Sequence, residues 1–150
     1  MSKIACETII VERQYPSTPD EVFAAFTTRA ALETWMSPGE GFDVKVEPFD
    51  FREGGGATTT MLMDGDDPWI NTDSYHEIIP GKRIIETSTL RYKGALNFAG
   101  LVTIEFKPSG GGCALTVTEM GAFPDGKDEA AGHEETWKGM LENLADYLKV

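Results

Sequence analysis

Basic residues are scarce in this chain: 13 Lys and Arg stand against 25 Asp and Glu, a formal net charge of -12. Nucleic acids and anionic membranes are held by Lys and Arg, so neither is an expected partner. Histidine is scarcer still. His76 and His133 are the only two, far apart and outside any HExxH frame, and no paired-cysteine motif joins them, so zinc has no ligand set. The acidic run Asp64-Gly65-Asp66-Asp67 lacks the glutamate twelve positions from its start that a calcium loop uses, and reads as a solvated turn. No metal and no cofactor is expected. The two cysteines, Cys6 and Cys113, form no CxxC, and the opening Met-Ser-Lys-Ile-Ala-Cys-Glu lacks the apolar run of a signal peptide. Reduced thiols and a cytoplasmic location are therefore expected. No stretch approaches the roughly 18 apolar residues of a membrane span. There is also no GxSxG elbow and no cysteine in a basic setting, so nucleophilic catalysis has no support.

What the chain does have is enough apolar content to fold. At 150 residues and 41% hydrophobic it suits one domain, burying roughly two thirds of its unfolded surface without staples. Residues 8–15 read as an opening strand stopped by Pro16. Thr18-Pro19-Asp20-Glu21 then combines a capping hydroxyl, a proline at the first helical position and a glutamate three residues after the cap, a capping box that starts a helix. Val22, Phe23 and Phe26 supply its buried face. Thr28 caps a second short helix through Leu32 and Trp35, ended by Pro38 and Gly39.

Phe42, Val44 and Val46 alternate with polar residues, the period of a half-buried strand, and Pro48 marks it as an edge. Gly54-Gly55-Gly56 makes a turn into a strand over 57–63, and the loop from Asp64 to Pro68 follows. Strands over about 71–79 and 82–90 are joined at Pro80-Gly81; strands over about 100–107 and 113–121 are joined by Ser109-Gly110-Gly111-Gly112. These glycines form a turn rather than a phosphate cradle, because no helix and no Lys-Ser or Lys-Thr pair follows them. From His133 onward Trp137, Leu141, Leu144 and Leu148 share one face of a helix, with Lys138, Glu142, Asn143, Asp146 and Lys149 on the other. The pattern is strand, two short helices, six strands, long helix. Hairpin-length links make the sheet antiparallel and the class α+β. The sheet is the only surface able to cover the apolar face of the terminal helix.

Five motifs now fall in a familiar order: Ser17-Thr18-Pro19-Asp20-Glu21-Val22-Phe23-Ala24-Ala25-Phe26, Leu32-Glu33-Thr34-Trp35, Phe49-Asp50-Phe51-Arg52-Glu53-Gly54-Gly55, Tyr75-His76-Glu77-Ile78-Ile79-Pro80, and the closing helix with Trp137. On these the chain resembles small bacterial proteins similar to the C-terminal domain of the activator of Hsp90 ATPase, within the START-like or SRPBCC superfamily. The resemblance implies a helix-grip fold, a seven-stranded antiparallel sheet wrapped around the C-terminal helix, with two short helices between strands 1 and 2. It implies the strand order first, seventh, sixth, fifth, fourth, third, second. That order sets Cys6 opposite the end of the last strand and away from Cys113, so no disulfide is expected. The eukaryotic co-chaperone carries a further N-terminal domain for which 150 residues leave no room, so Hsp90 activation is not carried over.

A cavity between sheet and helix is the expected site. Trp35, Phe49, Met61, Met63, Tyr75, Glu77, Met120, His133, Trp137 and Met140 are its candidate ligand-binding residues, with Met36, Phe51, Trp69, Phe98 and Phe123 as further large side chains. Adaptable methionines among aromatics suit a small apolar molecule, and the same side chains could instead fill the interior completely. Three readings follow: a non-enzymatic binder of a hydrophobic ligand; a cyclase- or hydrolase-like enzyme in which His133, Tyr75 and Glu77 do acid-base work, Tyr75 and Glu77 sharing a strand face by their spacing of two; and a chaperone-associated interaction module using an exposed apolar patch. The frequency of twofold homodimers makes a homodimer the first oligomeric state to test.

Overall fold

The computed structural model describes residues 3–37 and 39–149. In chain order its elements are β1 (Ile4–Tyr15), α1 (Pro19–Ala24), α2 (Arg29–Trp35), β2 (Phe42–Asp50), β3 (Gly56–Met63), β4 (Trp69–Ile79), β5 (Arg83–Tyr92), β6 (Ala95–Ser109), β7 (Gly112–Pro124) and α3 (Ala130–Leu148). The strands form one antiparallel sheet in the order β1-β7-β6-β5-β4-β3-β2, as the resemblance implied. Cys6 pairs with Ala122 and Cys113 with Tyr15 across β1 and β7, and both thiols are free.

Local chemistry sets the two short helices. Thr18 Oγ1 accepts from the Glu21 backbone N–H at 3.2 Å while Glu21 Oε1 accepts from the Thr18 N–H at 2.9 Å, so two donors left over at the start of α1 are satisfied reciprocally. Thr28 Oγ1 accepts from the Ala31 N–H at 3.2 Å and starts α2. Pro38, expected to help end that helix, lies outside the described residues. Trp35 is buried, with its indole N–H donated to the Ala25 carbonyl at 2.8 Å, which locks the α1–α2 corner.

Several strand boundaries run beyond the sequence reading. β1 begins at Ile4, and β6 begins at Ala95, because Lys93 and Gly94, both at positive φ, turn a tight hairpin out of β5. A Lys-Gly pair is a weaker turn signal than Asn-Gly, and residues 91–99 carried no other punctuation. Pro48 does not end β2; the register shifts between Val46 and Phe49 and the strand continues on the open edge of the sheet.

The terminal helix begins at Ala130, three residues earlier than the motif suggested. Met140, Leu141 and Leu144 are buried in its contact face, and Trp137 and Leu148 pack more loosely against the same core. Two bonds fix the helix at its flanks: the buried Tyr15 hydroxyl donates to the Leu141 carbonyl at 2.8 Å, and Asn143 Nδ2 donates to the Ser37 carbonyl at 2.7 Å. Arg13 adds an ion pair to Glu142 at the β1 side. Asn143, assigned to the solvent face, is thus a tie to the end of α2. The helix packs on β1 and α2. Between it and the middle strands lies open space.

Candidate functional site

That space is a cavity of about 820 Å³, lined by side chains from α2, α3 and strands β2 to β7. Strand alternation decides which side chains enter it. The register puts Thr59, Asn71, Leu90 and Phe98 in one inward row, Ala57, Asp73, Ser88 and Gly100 in the next, and Tyr75, Glu86, Val102 and Glu119 in a third. Most of the wall is apolar: Trp35, Phe51, Met61, Trp69, Trp137 and Met140 are part of it. The glycine pair Gly100 and Gly121 lets the Phe98 ring lie against the sheet, since a Cβ on either would stand 2.7 or 2.6 Å from that ring.

Six of the ten candidate residues line the cavity: Trp35, Met61, Tyr75, His133, Trp137 and Met140. Phe49, Met63, Glu77 and Met120 do not. Phe49 follows the β2 irregularity and stacks on Phe51 at 6.1 Å, behind the wall. Met63 lies past Met61, the last β3 residue paired with β4, and is 41% exposed. Met120 follows the inward Glu119 and therefore points out, 46% exposed. Glu77 is turned out by a bulge. Tyr75 pairs with Glu86 but Glu77 pairs with Ile85, so the face changes between them. Glu77 then meets Arg83 at 2.5 Å on the outer surface, which holds its carboxyl below the usual range through that hydrogen bond. The acid-base set His133, Tyr75 and Glu77 is therefore not assembled.

In place of that set the structure assembles a polar stripe that the sequence reading missed. His133 sits between two carboxylates, with Nδ1 at 2.5 Å from Glu119 Oε1 and Nε2 at 2.7 Å from Asp128 Oδ2, and its ring packs on Phe98 and Phe123. Burial by itself would lower the imidazole pKa, but the bonds to Asp128 and Glu119 outweigh it and raise it to about 9. The ring is an imidazolium at neutral pH, donating from both nitrogens. Asp128 feels burial, which raises its pKa, yet the His133 and Glu129 N–H bonds bring it below the ordinary value. Glu119 Oε2 also accepts from the Trp137 indole N–H at 2.8 Å.

Deeper on the sheet, Asn71 donates to Asp73 Oδ2 at 2.9 Å and accepts from Ser88 at 2.9 Å. Burial raises the Asp73 pKa to about 6. Glu86, 8% exposed, is pushed well above its ordinary value by burial and by the charges of Asp73 and Glu119. Burial likewise raises the Tyr75 hydroxyl. A signal for these residues was available. Glu86 follows Ile84 and precedes Ser88 at inward spacing, and Glu119 follows Leu115 and Val117, so both acids occupy core-facing positions of apolar strands. Among the described residues no cluster of His, Cys, Asp and Glu could hold a metal ion.

An antiparallel sheet curved about a long C-terminal helix, with a cavity between them, defines a helix-grip protein of the START-like superfamily. The chain belongs to the family described as Activator of Hsp90 ATPase homolog 1-like protein, which matches residues 16–149. Similar solved structures include the Mll3558 protein from Rhizobium loti, 38% identical over 96% of this chain and 98% of that one, with a TM-score of 0.86. Protein CV1439 from Chromobacterium violaceum is 30% identical over 95% and 97% of the two chains, with a TM-score of 0.82. A protein from Rhizobium leguminosarum shares the fold at a TM-score of 0.89 and 23% identity, covering 99% and 98%. No curated protein matches the chain significantly. No described helix is long and apolar enough to cross a membrane.

Proposed function

We propose that the protein binds a small, largely apolar molecule in the cavity between the concave face of the sheet and α3. The observation that carries this reading is the size and lining of the space: about 820 Å³ walled by aromatic and methionine side chains, inside the roughly 300–1,000 Å³ range of ligand pockets. Interiors normally pack to crystal-like density, so a space of this size in a 150-residue chain is a built feature rather than a packing fault. Met61 and Met140 on opposite walls can adapt to a guest's outline. Binding, rather than catalysis, is favoured because the acid-base groups nominated by the sequence are separated by the β4 bulge, with Glu77 spent on Arg83 outside. The test is a native mass spectrum of protein purified without denaturation, followed by thermal-shift measurements with a panel of apolar compounds. A retained mass or a dose-dependent rise in Tm supports the reading. A bare mass together with a flat panel refutes it.

A further inference from the structure

We infer that the ligand is an amine: the cavity takes a small apolar skeleton carrying a protonated primary or secondary amine, with the ammonium seated between Glu86, Asp73 and the Tyr75 hydroxyl. This rests on the cavity being a ligand site, and adds the chemical class of what enters it.

The carrying observation is Glu86. It is 8% exposed, lines the cavity, and makes no hydrogen bond or ion pair with any described residue. Buried carboxylates are ordinarily paired, because an uncompensated charge in a low-dielectric interior is expensive. The neighbouring acids follow that rule. Glu119 is held by His133 and Trp137, Asp128 by His133 and the Glu129 N–H, and Asp73 by Asn71 with the Ser88 hydroxyl beside it. Of the acids that line the cavity, Glu86 alone has no side-chain partner among the described residues. The Tyr75 hydroxyl, directly across the β4–β5 pair from it, has no hydrogen-bond partner among the described residues either.

Three classes of guest can be compared on this geometry. A carboxylate or phosphate would enter beside Asp73, Glu86 and Glu119 with no free cation among the described lining residues to meet it, since no Lys or Arg lines the cavity and His133 is flanked by acids on both nitrogens. A purely apolar guest would cover Glu86 and leave it unsatisfied, at a cost. An ammonium brings two or three donors and a positive charge to a place that offers carboxylate and phenol oxygens, and forms charge-assisted bonds there. The upward displacement of Asp73 and Glu86 has the sign expected of carboxylates lacking a counter-cation, which a bound ammonium would reverse.

The experiment uses the full chain and three probes of one skeleton, 2-naphthylmethylamine, 2-naphthylmethanol and 2-naphthoate, titrated calorimetrically at pH 7.5 into wild type and Glu86→Gln. The expected order is amine first by about tenfold, then alcohol, then carboxylate, with the amine preference lost in Glu86→Gln and the alcohol affinity kept. Equal binding of amine and alcohol, or stronger binding of the carboxylate, by the wild type overturns the inference while leaving the cavity reading standing. If no probe binds, this inference falls, and the cavity reading is decided separately by the native mass and the wider apolar panel. The wild-type ranking decides the matter even if Glu86→Gln fails to fold.

Discussion

The His133 clamp makes a prediction whose sign and size both follow from its surroundings. The ring is 13% exposed on its side chain and faces Glu119 from β7, Asp128 from the segment before α3, and the rings of Phe98 and Phe123. Its pKa is raised from 6.5 to about 9 in the folded protein. A raised folded value means that the stabilisation is complete below about 6.5 and is lost as pH climbs through 9. At 1.36 kcal/mol per pK unit the displacement is worth about 3 kcal/mol, a ceiling because ordering two carboxylates in a half-dry site costs part of it. For a domain of this length that is roughly 6–12 °C in Tm. His133→Gln keeps polarity but cannot carry the charge. The Tm difference between wild type and His133→Gln should therefore be largest at pH 6, shrink steadily between about pH 6.5 and 9, and be nearly gone by pH 10. Taking the difference cancels the many other groups that titrate at alkaline pH in so acidic a chain. A gap independent of pH, or one that widens toward pH 10, would refute the assignment of an imidazolium held between two carboxylates. The ring nitrogens give a second readout: both should carry protons in nitrogen-15 spectra at pH 7.

Other substitutions probe the frame around the cavity. Leu144→Ala removes a fully buried side chain at the α3 contact and should cost about 2–5 kcal/mol in denaturant unfolding. Trp137→Phe deletes the indole donor to Glu119 while keeping a ring at the cavity wall; a loss of about 1–3 kcal/mol is expected, with no change in overall secondary structure by circular dichroism. Gly100→Ala forces a Cβ to within 2.3 Å of the Met120 carbonyl and 2.7 Å of Phe98, so it should destabilise by more than about 1 kcal/mol despite the small change in volume.

How much of this was legible in the chain depended on whether the cue was local. The Thr18–Glu21 capping box and the apolar stripe of Leu141, Leu144 and Leu148 announce their elements because short-range bonds and helical period make them, and the structure contains both. The sheet order came from the resemblance and could not have come from periodicity. The β4 bulge was invisible, because one extra residue leaves no mark in composition, yet it changes the face of Glu77 and dismantles the acid-base set. Met120 differs from the expectation for a simpler reason: its size suits a cavity wall, but three residues beyond the inward Val117 it falls on the opposite face of β7. The acids of the polar stripe were passed over because charged residues in strands are read as solvent-facing by default. Glu86 breaks that default, since its neighbours at Ile84 and Ser88 are buried.

The most direct test of the cavity as a ligand site is a methyl-labelled NMR titration of the methionines with a neutral apolar probe such as 2-naphthylmethanol. Met61 and Met140 line the space, whereas Met63 and Met120 face solvent and serve as internal controls. Saturable shifts are expected at Met61 and Met140, with the Trp137 indole signal moving alongside them. Shifts confined to Met63 and Met120, or no shift at any methionine up to the probe's solubility limit, would contradict the assignment of the cavity as a ligand site.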